Sequence, residues 1–465
     1  MNTRTPLITP VLASCGVVVA LMQTIIVPML PELPALTGSS ASNVGWMVTA
    51  TLLSGAVSTP LLGRAGDMYG KRRVLLWSLF SVTIGSLICA VTANLPALVA
   101  GRALQGVGLA VMPLGISIMR DELPGEKVTS AVALMSATIG IGAAIGLPIA
   151  AVVIQYASWH TMFWVCAIVS LLVLGAVRWI VPESPVRSRG RFDYLGAAGL
   201  TAALLCLLLA LSKGSDWGFA SPLTLGLAGG GLLIALGWGW YELRHDEPLI
   251  DLRVSARPTV LMANLAAMFI GFAFYANSLV TAQLVQEPTS TGYGLGLSIV
   301  ASGLCLLPGG VCMAFLSPVS ARISVARGPK TTVALAAALI AVGYGVRYFT
   351  SHQLWTIILG ATIVATGTGL AYSALPMLIM RAIPLSETAA ANGLNTLMRM
   401  IGQSASSAMS AAVLAHMTFQ GRATLGAYLL IFVIAGVAAL IALATTLMIP
   451  RRVPQPATVP VPLPA

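Results

Sequence analysis

Charged side chains are concentrated in one short stretch of an otherwise apolar chain. Residues 63–73 read GRAGDMYGKRR and hold five charges, whereas only 8% of all 465 residues are charged. Asp67 can accept backbone N–H bonds at a helix N-terminus and pair with a nearby arginine, and Gly70 permits a turn with positive φ. A solvated loop would explain the positive charges, but not the spacing of Asp67 and Gly70. The stretch therefore predicts a gating latch that forms in one conformation and breaks in another.

Two arginines, Arg102 and Arg399, lie inside long apolar segments. An arginine at the centre of a membrane helix costs at least about 2.5 kcal/mol and usually marks function. Other polar residues could face a substrate cavity beside them, or could instead form interhelical hydrogen bonds worth about 0.6 kcal/mol each. The cavity candidates are Met22, Gln23, Thr24, Gln105, Asn264, Asn277, Asn392, Asn395 and Arg399.

The elements that position these residues are predicted to be membrane helices. The chain is 57% hydrophobic, and a helix needs about 20 apolar residues to cross a bilayer. The alternation of apolar and polar residues that a membrane β-barrel requires is missing. We expect fourteen spans, at 8–30, 43–62, 74–93, 95–117, 129–154, 160–181, 194–213, 221–241, 258–284, 293–318, 330–349, 353–376, 388–415 and 425–449.

The basic residues predict the orientation. Fourteen spans put both termini on one side, and 20 of the 25 Lys and Arg residues then fall on that side. This is the positive-inside pattern, and it predicts cytoplasmic termini in a bacterial inner membrane. It also assigns the net charge of +11 to topology rather than to nucleic acid. Lys213, Arg347 and Arg422 are expected on the outer side.

The organisation is six helices, two helices, six helices. We expect an N-terminal bundle at 1–181, a linker with two inserted helices at 182–257, a C-terminal bundle at 258–449 and a disordered Pro-rich tail at 450–465. Residues 321–330, ARISVARGPK, repeat part of 63–72, with Val325 in place of Asp67. Such repeats are typical of transporters whose substrate site lies between the halves, and the latch should be one-sided.

Several stretches resemble signatures of the major facilitator superfamily. The first is GRAGDMYGKRRV, which is similar to its cytoplasmic loop signature through Gly63, Asp67, Gly70, Lys71 and Arg72. RALQGVG (102–108) is similar to the fourth-helix signature. GIGAAIGLP (140–148) partly resembles the fifth-helix signature of antiporters, and its small residues predict close helix packing at Gly142, Gly146 and Pro148. Trp217, ELRHDEPLIDLRV and ANGLNTLMRMIGQ resemble the fourteen-helix drug:proton antiporter family.

This resemblance implies a function. It implies a monomeric, proton-coupled exporter of small hydrophobic compounds that works by alternating access. The alternatives are a weakly coupled facilitator or importer of a small neutral or anionic metabolite, and a membrane sensor, which the lack of a soluble domain disfavours. No Walker lysine motif, H-E-x-x-H or G-x-S-x-G elbow occurs, so we expect neither an enzyme nor a cofactor or metal.

The proton site implied by the resemblance is altered. In LMQTIIVPMLPEL (21–33), Met22 stands where the family has an acid, and methionine cannot titrate. Glu32 lies about 15 Å further along a helix, toward the same leaflet as Arg102. We therefore expect any coupling to use Glu32 with Arg102, unless Glu32 is an ordinary interfacial carboxylate. Since none of the acidic residues is predicted near a helix centre, neutral or anionic substrates should be preferred.

Overall fold

The computed structural model describes residues 5–24, 26, 33–188, 190–350, 353–419 and 422–450, and it is almost entirely helical. A two-stranded hairpin joins β1 (Thr418–Phe419) to β2 (Arg422–Ala423). The helices are α1 (Thr5–Thr24), α2 (Leu33–Thr37), α3 (Ala41–Val44), α4 (Trp46–Tyr69), α5 (Lys71–Val91), α6 (Leu95–Gly106), α7 (Val111–Glu122), α8 (Gly125–Tyr156), α9 (His160–Ile180), α10 (Tyr194–Trp217), α11 (Pro222–Glu242), α12 (Leu252–Ser255), α13 (Pro258–Gln286), α14 (Ile299–Phe315), α15 (Ser317–Arg327), α16 (Pro329–Thr350), α17 (Leu354–Met380), α18 (Thr388–His416) and α19 (Leu425–Met448).

The prediction of an all-α membrane protein is confirmed. Among the described residues, 11 helices are long and apolar enough to cross a bilayer, and α14 with α15, bent by 41°, makes up to 12. Pro318 opens α15 at this bend, and proline is a common cause of such kinks. Two further long helices, α8 and α18, coincide with the predicted spans 129–154 and 388–415. The architecture is therefore compatible with fourteen spans.

Local sequence signals explain where many helices begin and end. Asn94, Ser221 and Ser298 each accept a backbone N–H bond three residues ahead, which caps α6, α11 and α14. Gly70 (φ 116°) joins α4 to α5, and Gly328 (φ 86°) joins α15 to α16. These two glycines occupy matching positions in the internal repeat, so both copies use the same turn.

Two large hydrophobic clusters hold the helices together. One contains α1, α4, α5, α7 and α8, together with Leu200, Leu204 and Leu208 of α10. The other contains α13, α16, α17 and α19. The inserted helix α10 packs against both α4 and α18, whereas α11 packs mainly on α10. Leu233 and Trp240 of α11 are 72% and 59% exposed, as expected for a helix that faces lipid.

Two cations predicted on the outer side belong to helices. Arg347 is in the last turn of α16 and only 1% exposed, with its guanidinium 4.1 Å from the ring of Phe432. Lys213 is in α10 and forms an ion pair with Asp216 at 2.8 Å. Both residues lie at or near the end of a predicted span, and hydropathy does not show their partners, because long cationic side chains extend from helix ends into packed surroundings.

Candidate transport pathway: a gate and a central cavity

The candidate gate lies at one end of the bundle, which we call the basic end because hydrogen bonds and ion pairs there join residues 63–73, 120–127, 178–193 and 242–257. Asp67, at the end of α4, is fully buried. Its Oδ2 accepts the N–H of Ala390 at 2.9 Å, and its Oδ1 accepts that of Ala389 at 3.3 Å. Both N–H groups belong to the first turn of α18, where the helix dipole favours an anion. Asp67 thus joins the first half of the chain to the second.

The cation beside Asp67 is Lys71 rather than the arginine expected from the sequence. Lys71 Nζ lies 3.5 Å from Asp67 Oδ1 and also forms an ion pair with Asp121. The hydroxyl of Ser184 donates to the same carboxylate oxygen of Asp121. The Gly70 turn places Lys71 in the first turn of α5, close to Asp67. Lys71 therefore forms the ion pair that the sequence suggested for an arginine. All three charged groups are buried, so each depends on the others for compensation.

The linker after α9 supports this loop. Glu183 accepts the N–H groups of Arg72 and Arg73 at 3.0 and 3.2 Å, and so caps the N-terminus of α5. The N–H of Ser188 donates to the carbonyl of Asp67 at 2.7 Å, and Arg64 donates to Ser188 Oγ at 3.1 Å. The signal for this role in the sequence is an acid directly after the sixth span, which was not among the predicted site residues.

Arg120 forms a second tie between the halves. From the end of α7 it donates to Thr388 Oγ1 at 2.7 Å and to the carbonyls of Met380 and Ile383 at 2.6 and 3.2 Å. The carbonyls at the end of α17 carry the negative end of that helix dipole, which a guanidinium complements. Local sequence does not reveal this tie, because the partners of Arg120 lie some 260 residues away.

Glycines allow α4 and α18 to approach closely at the gate. A Cβ on Gly63 would stand 2.6 Å from the carbonyl oxygen of Ala389, and one on Gly393 would stand 2.7 Å from that of Thr59. Neither position can accept a methyl group without separating the two backbones. Gly63 is therefore required for the close approach of α4 to α18 that also brings Asp67 to the first turn of α18.

We expect Gly63→Ala to shift the protein away from the state closed at the basic end. The measurement is the distance between spin labels on Cys substituted for the exposed residues Arg73 and Arg381, in a background without the six native cysteines. Longer distances should gain population in Gly63→Ala. Gly175→Ala in α9, where a Cβ meets nothing within 4 Å, is the control. Identical distance distributions in the two variants would contradict the close-contact role.

A small polar cavity lies in the middle of the bundle. Its volume is about 10 Å³, which is room for about one water. Arg399 stacks over the ring of Tyr372 at 4.4 Å and donates to Thr396 Oγ1 at 3.1 Å. Within the described part of the chain, Asn392 Oδ1 has no hydrogen-bond partner. The lining residues are Met112, Ile116, Ser136, Tyr372, Pro376, Asn392, Asn395, Thr396 and Arg399.

Three of the predicted cavity residues, Asn392, Asn395 and Arg399, line this cavity. Asn264 adjoins it, since Asn395 Nδ2 donates to Asn264 Oδ1 at 3.0 Å. Asn277 lies elsewhere, inside the second half, where it accepts from Arg347 and donates to the carbonyl of Ala361 at 3.2 Å. A buried guanidinium needs acceptors, and this need explains the position of Asn277.

Arg102 organises a separate network inside the first half. Its Nη1 donates to the carbonyl of Met22 at 2.9 Å and to Gln105 Oε1 at 2.7 Å, and its Nε donates to the carbonyl of Met47 at 3.3 Å. Gln105 donates onward to Ser86 at 2.9 Å. Met22 and Gln105 therefore serve Arg102 and do not line the central cavity. Gln23 is exposed.

Several predicted residues fall partly or wholly outside the described residues. These are Glu32, the side chains of Thr24 and Pro148, and the tail beyond residue 450. The packing glycines are visible: a Cβ on Gly142 would stand 2.2 Å from Ala20 Cβ, where α8 crosses α1, and Gly146 is buried. Val325, the counterpart of Asp67 in the repeat, is 69% exposed.

A second cavity of about 220 Å³ opens beside the gate. Burial raises the pKa of Glu387, and the nearby Asp251 raises it further. Arg64 is the cation within the lining. The acidic and polar lining residues are Arg64, Ser188, Asp246, Glu247, Asp251, Ser255 and Glu387.

Comparisons with known proteins agree on the family. A model of the Major Facilitator Superfamily matches residues 12–407. An uncharacterized MFS-type transporter of Mycobacterium tuberculosis is 28% identical over 404 residues, covering 84% of this chain and 56% of that protein. The tetracenomycin C resistance and export protein of Streptomyces glaucescens is 28% identical over 365 residues, covering 76% and 66%. The chain thus spans little more than half the length of the first of these relatives.

A solved structure shows the same fold. The human organic anion transporter MFSD10 (TETRAN) superposes with a TM-score of 0.69 at 17% identity, over 96% of this chain and 100% of that one. The family model, which matches most of the chain, shows that this chain belongs to the major facilitator superfamily.

Proposed function

We propose that the chain exports small hydrophobic compounds from the bacterial cytoplasm by alternating access, with the basic end facing the cytoplasm. The observation that carries the proposal is the Asp67 contact with the first turn of α18, because in this proposal it closes one end of a pathway whose centre is lined by polar side chains. In this state the central cavity is too small for a drug-sized molecule. Loading from the cytoplasm therefore requires that the gate open.

The two halves, 1–181 and 258–449, rock around the central cavity in this proposal, and residues 182–257 stay outside that motion. The direction of transport rests on the relative named for the export of tetracenomycin C. A facilitator or importer of a small neutral or anionic metabolite is the second candidate, and the methionine at position 22 favours it.

Accumulation of a neutral fluorescent dye in whole cells tests export. Cells that express the protein should accumulate less dye than cells that express Asp67→Asn. An uncoupler should abolish the difference, because export against a gradient needs the proton motive force. A difference that survives the uncoupler would favour the facilitator.

Proton flux tests the coupling. In proteoliposomes, adding substrate should drive proton movement through the wild type, and Glu32→Gln should reduce it, since a coupled carrier needs a titrating group. Asp216→Asn, at the opposite end of the bundle from the basic end, is the control. Unchanged flux in Glu32→Gln would remove Glu32 from the mechanism, and substrate movement without any flux would make the protein a facilitator.

A further inference from the structure

Two carboxylates meet where the inserted helix pair closes at the basic end. Asp193 directly precedes α10, and Glu242 is the last residue of α11; they are 7% and 2% exposed. Asp193 Oδ2 and Glu242 Oε1 lie 2.2 and 2.7 Å from the point that a Cβ on Gly196 would occupy. The absence of a side chain at Gly196 is what lets the two acids converge.

Their hydrogen bonds are incomplete. Asp193 Oδ1 accepts from the N–H of Gly196 at 2.8 Å and from the hydroxyl of Tyr241 at 3.1 Å. Within the described residues, Asp193 Oδ2 lacks a hydrogen-bond partner. A buried carboxylate oxygen without a donor carries a large desolvation cost, and a second buried carboxylate lies beside this one, which indicates a missing proton or cation.

The surroundings restrict what that species is. The charged group that acts on Glu242 is Asp193, while the backbone N–H groups of Leu249 and Ile250 and the indole N–H of Trp238 are neutral hydrogen-bond donors to it. Two neighbouring buried carboxylates cannot both be ionised without strong repulsion. A proton between them removes one charge and supplies the donor that Asp193 Oδ2 lacks.

We propose that Asp193 and Glu242 form a proton-binding site in which the two carboxyl groups share one proton. The site lies in the inserted helices, outside both six-helix halves. It ties the start of α10 to the end of α11 and holds the turn through Leu249 and Ile250, two residues that also line the cavity beside the gate. Loss of the proton leaves two neighbouring negative charges, and their repulsion weakens the packing between the start of α10 and the end of α11.

The pH dependence of thermal unfolding in lipid nanodiscs tests the site. Above the ordinary carboxyl range of about pH 4, the folded pair retains a proton that the unfolded chain has lost, so stability should fall as pH rises from about 5 to about 9. In Glu242→Gln the amide N–H replaces the shared proton. This variant should therefore unfold at a higher temperature than wild type at the alkaline end and match it at the acid end. Asp246→Asn, an exposed acid in the same segment, should follow the wild type.

An equal pH slope in wild type and Glu242→Gln would overturn the proposal. So would a wild-type stability that responds at constant pH to sodium or to a divalent ion, since a metal cation would then be the occupant. If Glu242→Gln does not fold, infrared spectra of the wild type decide: a protonated carboxyl band at neutral pH that Asp193→Asn removes supports the pair, and its absence refutes it.

Discussion

Asp67→Asn is expected to abolish most transport while leaving membrane insertion intact. The substitution keeps the size of the side chain but removes the charge that α18 and Lys71 stabilise. Hydrogen bonds to a charged group contribute about 1.5–3 kcal/mol, so losing part of this contact shifts the ratio of closed to open states by roughly thirtyfold. Lys71 also loses one of its two anionic partners in a buried position.

The measurement is the initial rate of substrate transport, normalised to the amount of protein in the membrane. Glu126→Gln removes an exposed carboxylate from the same end of the bundle and should leave the rate unchanged. The spin-label pair at positions 73 and 381 should report the same opening in Asp67→Asn as in Gly63→Ala. Transport at the wild-type rate in Asp67→Asn would show that the contact is not a gate.

The second large expected effect is that of substrate charge on the rate of export. The central cavity contains the guanidinium of Arg399 and, among its lining residues, no acid. Two unit charges 4 Å apart at an effective dielectric constant of 20 interact by about 4 kcal/mol before desolvation, so cations should be exported at least roughly tenfold less well than matched neutral compounds. Arg399→Gln should relax this discrimination and weaken the export of anions.

Export of a matched series of cationic, neutral and anionic dyes from inverted membrane vesicles measures this preference. Arg399→Lys keeps the charge without the planar group that stacks on Tyr372, and so separates charge from shape. If cationic dyes are exported well and their neutral analogues are not exported, the electrostatic potential of the cavity is not positive and an acidic side chain must face it.

Much of the architecture follows from local properties of the chain. A bilayer requires about 20 apolar residues for each crossing, so uninterrupted runs of hydrophobic side chains mark the helices before any contact is known. The predicted span 258–284 became α13, Pro258–Gln286, for this reason. The spacing of Asp67 and Gly70 likewise predicted a carboxylate on a helix N-terminus, because a tight turn and a buried anion need those residue types.

The identity of partners was decided by tertiary packing. Asp67 accepts the N–H of Ala389, 322 residues later, and Arg120 reaches carbonyls some 260 residues away. Asn277 was predicted to face the cavity, but in the folded chain it accepts a hydrogen bond from Arg347. Asp193 and Glu242 are far apart in sequence, and the packing of α10 on α11 brings them together at Gly196. Hydropathy depends on neighbours in sequence, whereas the partner of a buried polar group depends on which helices pack side by side.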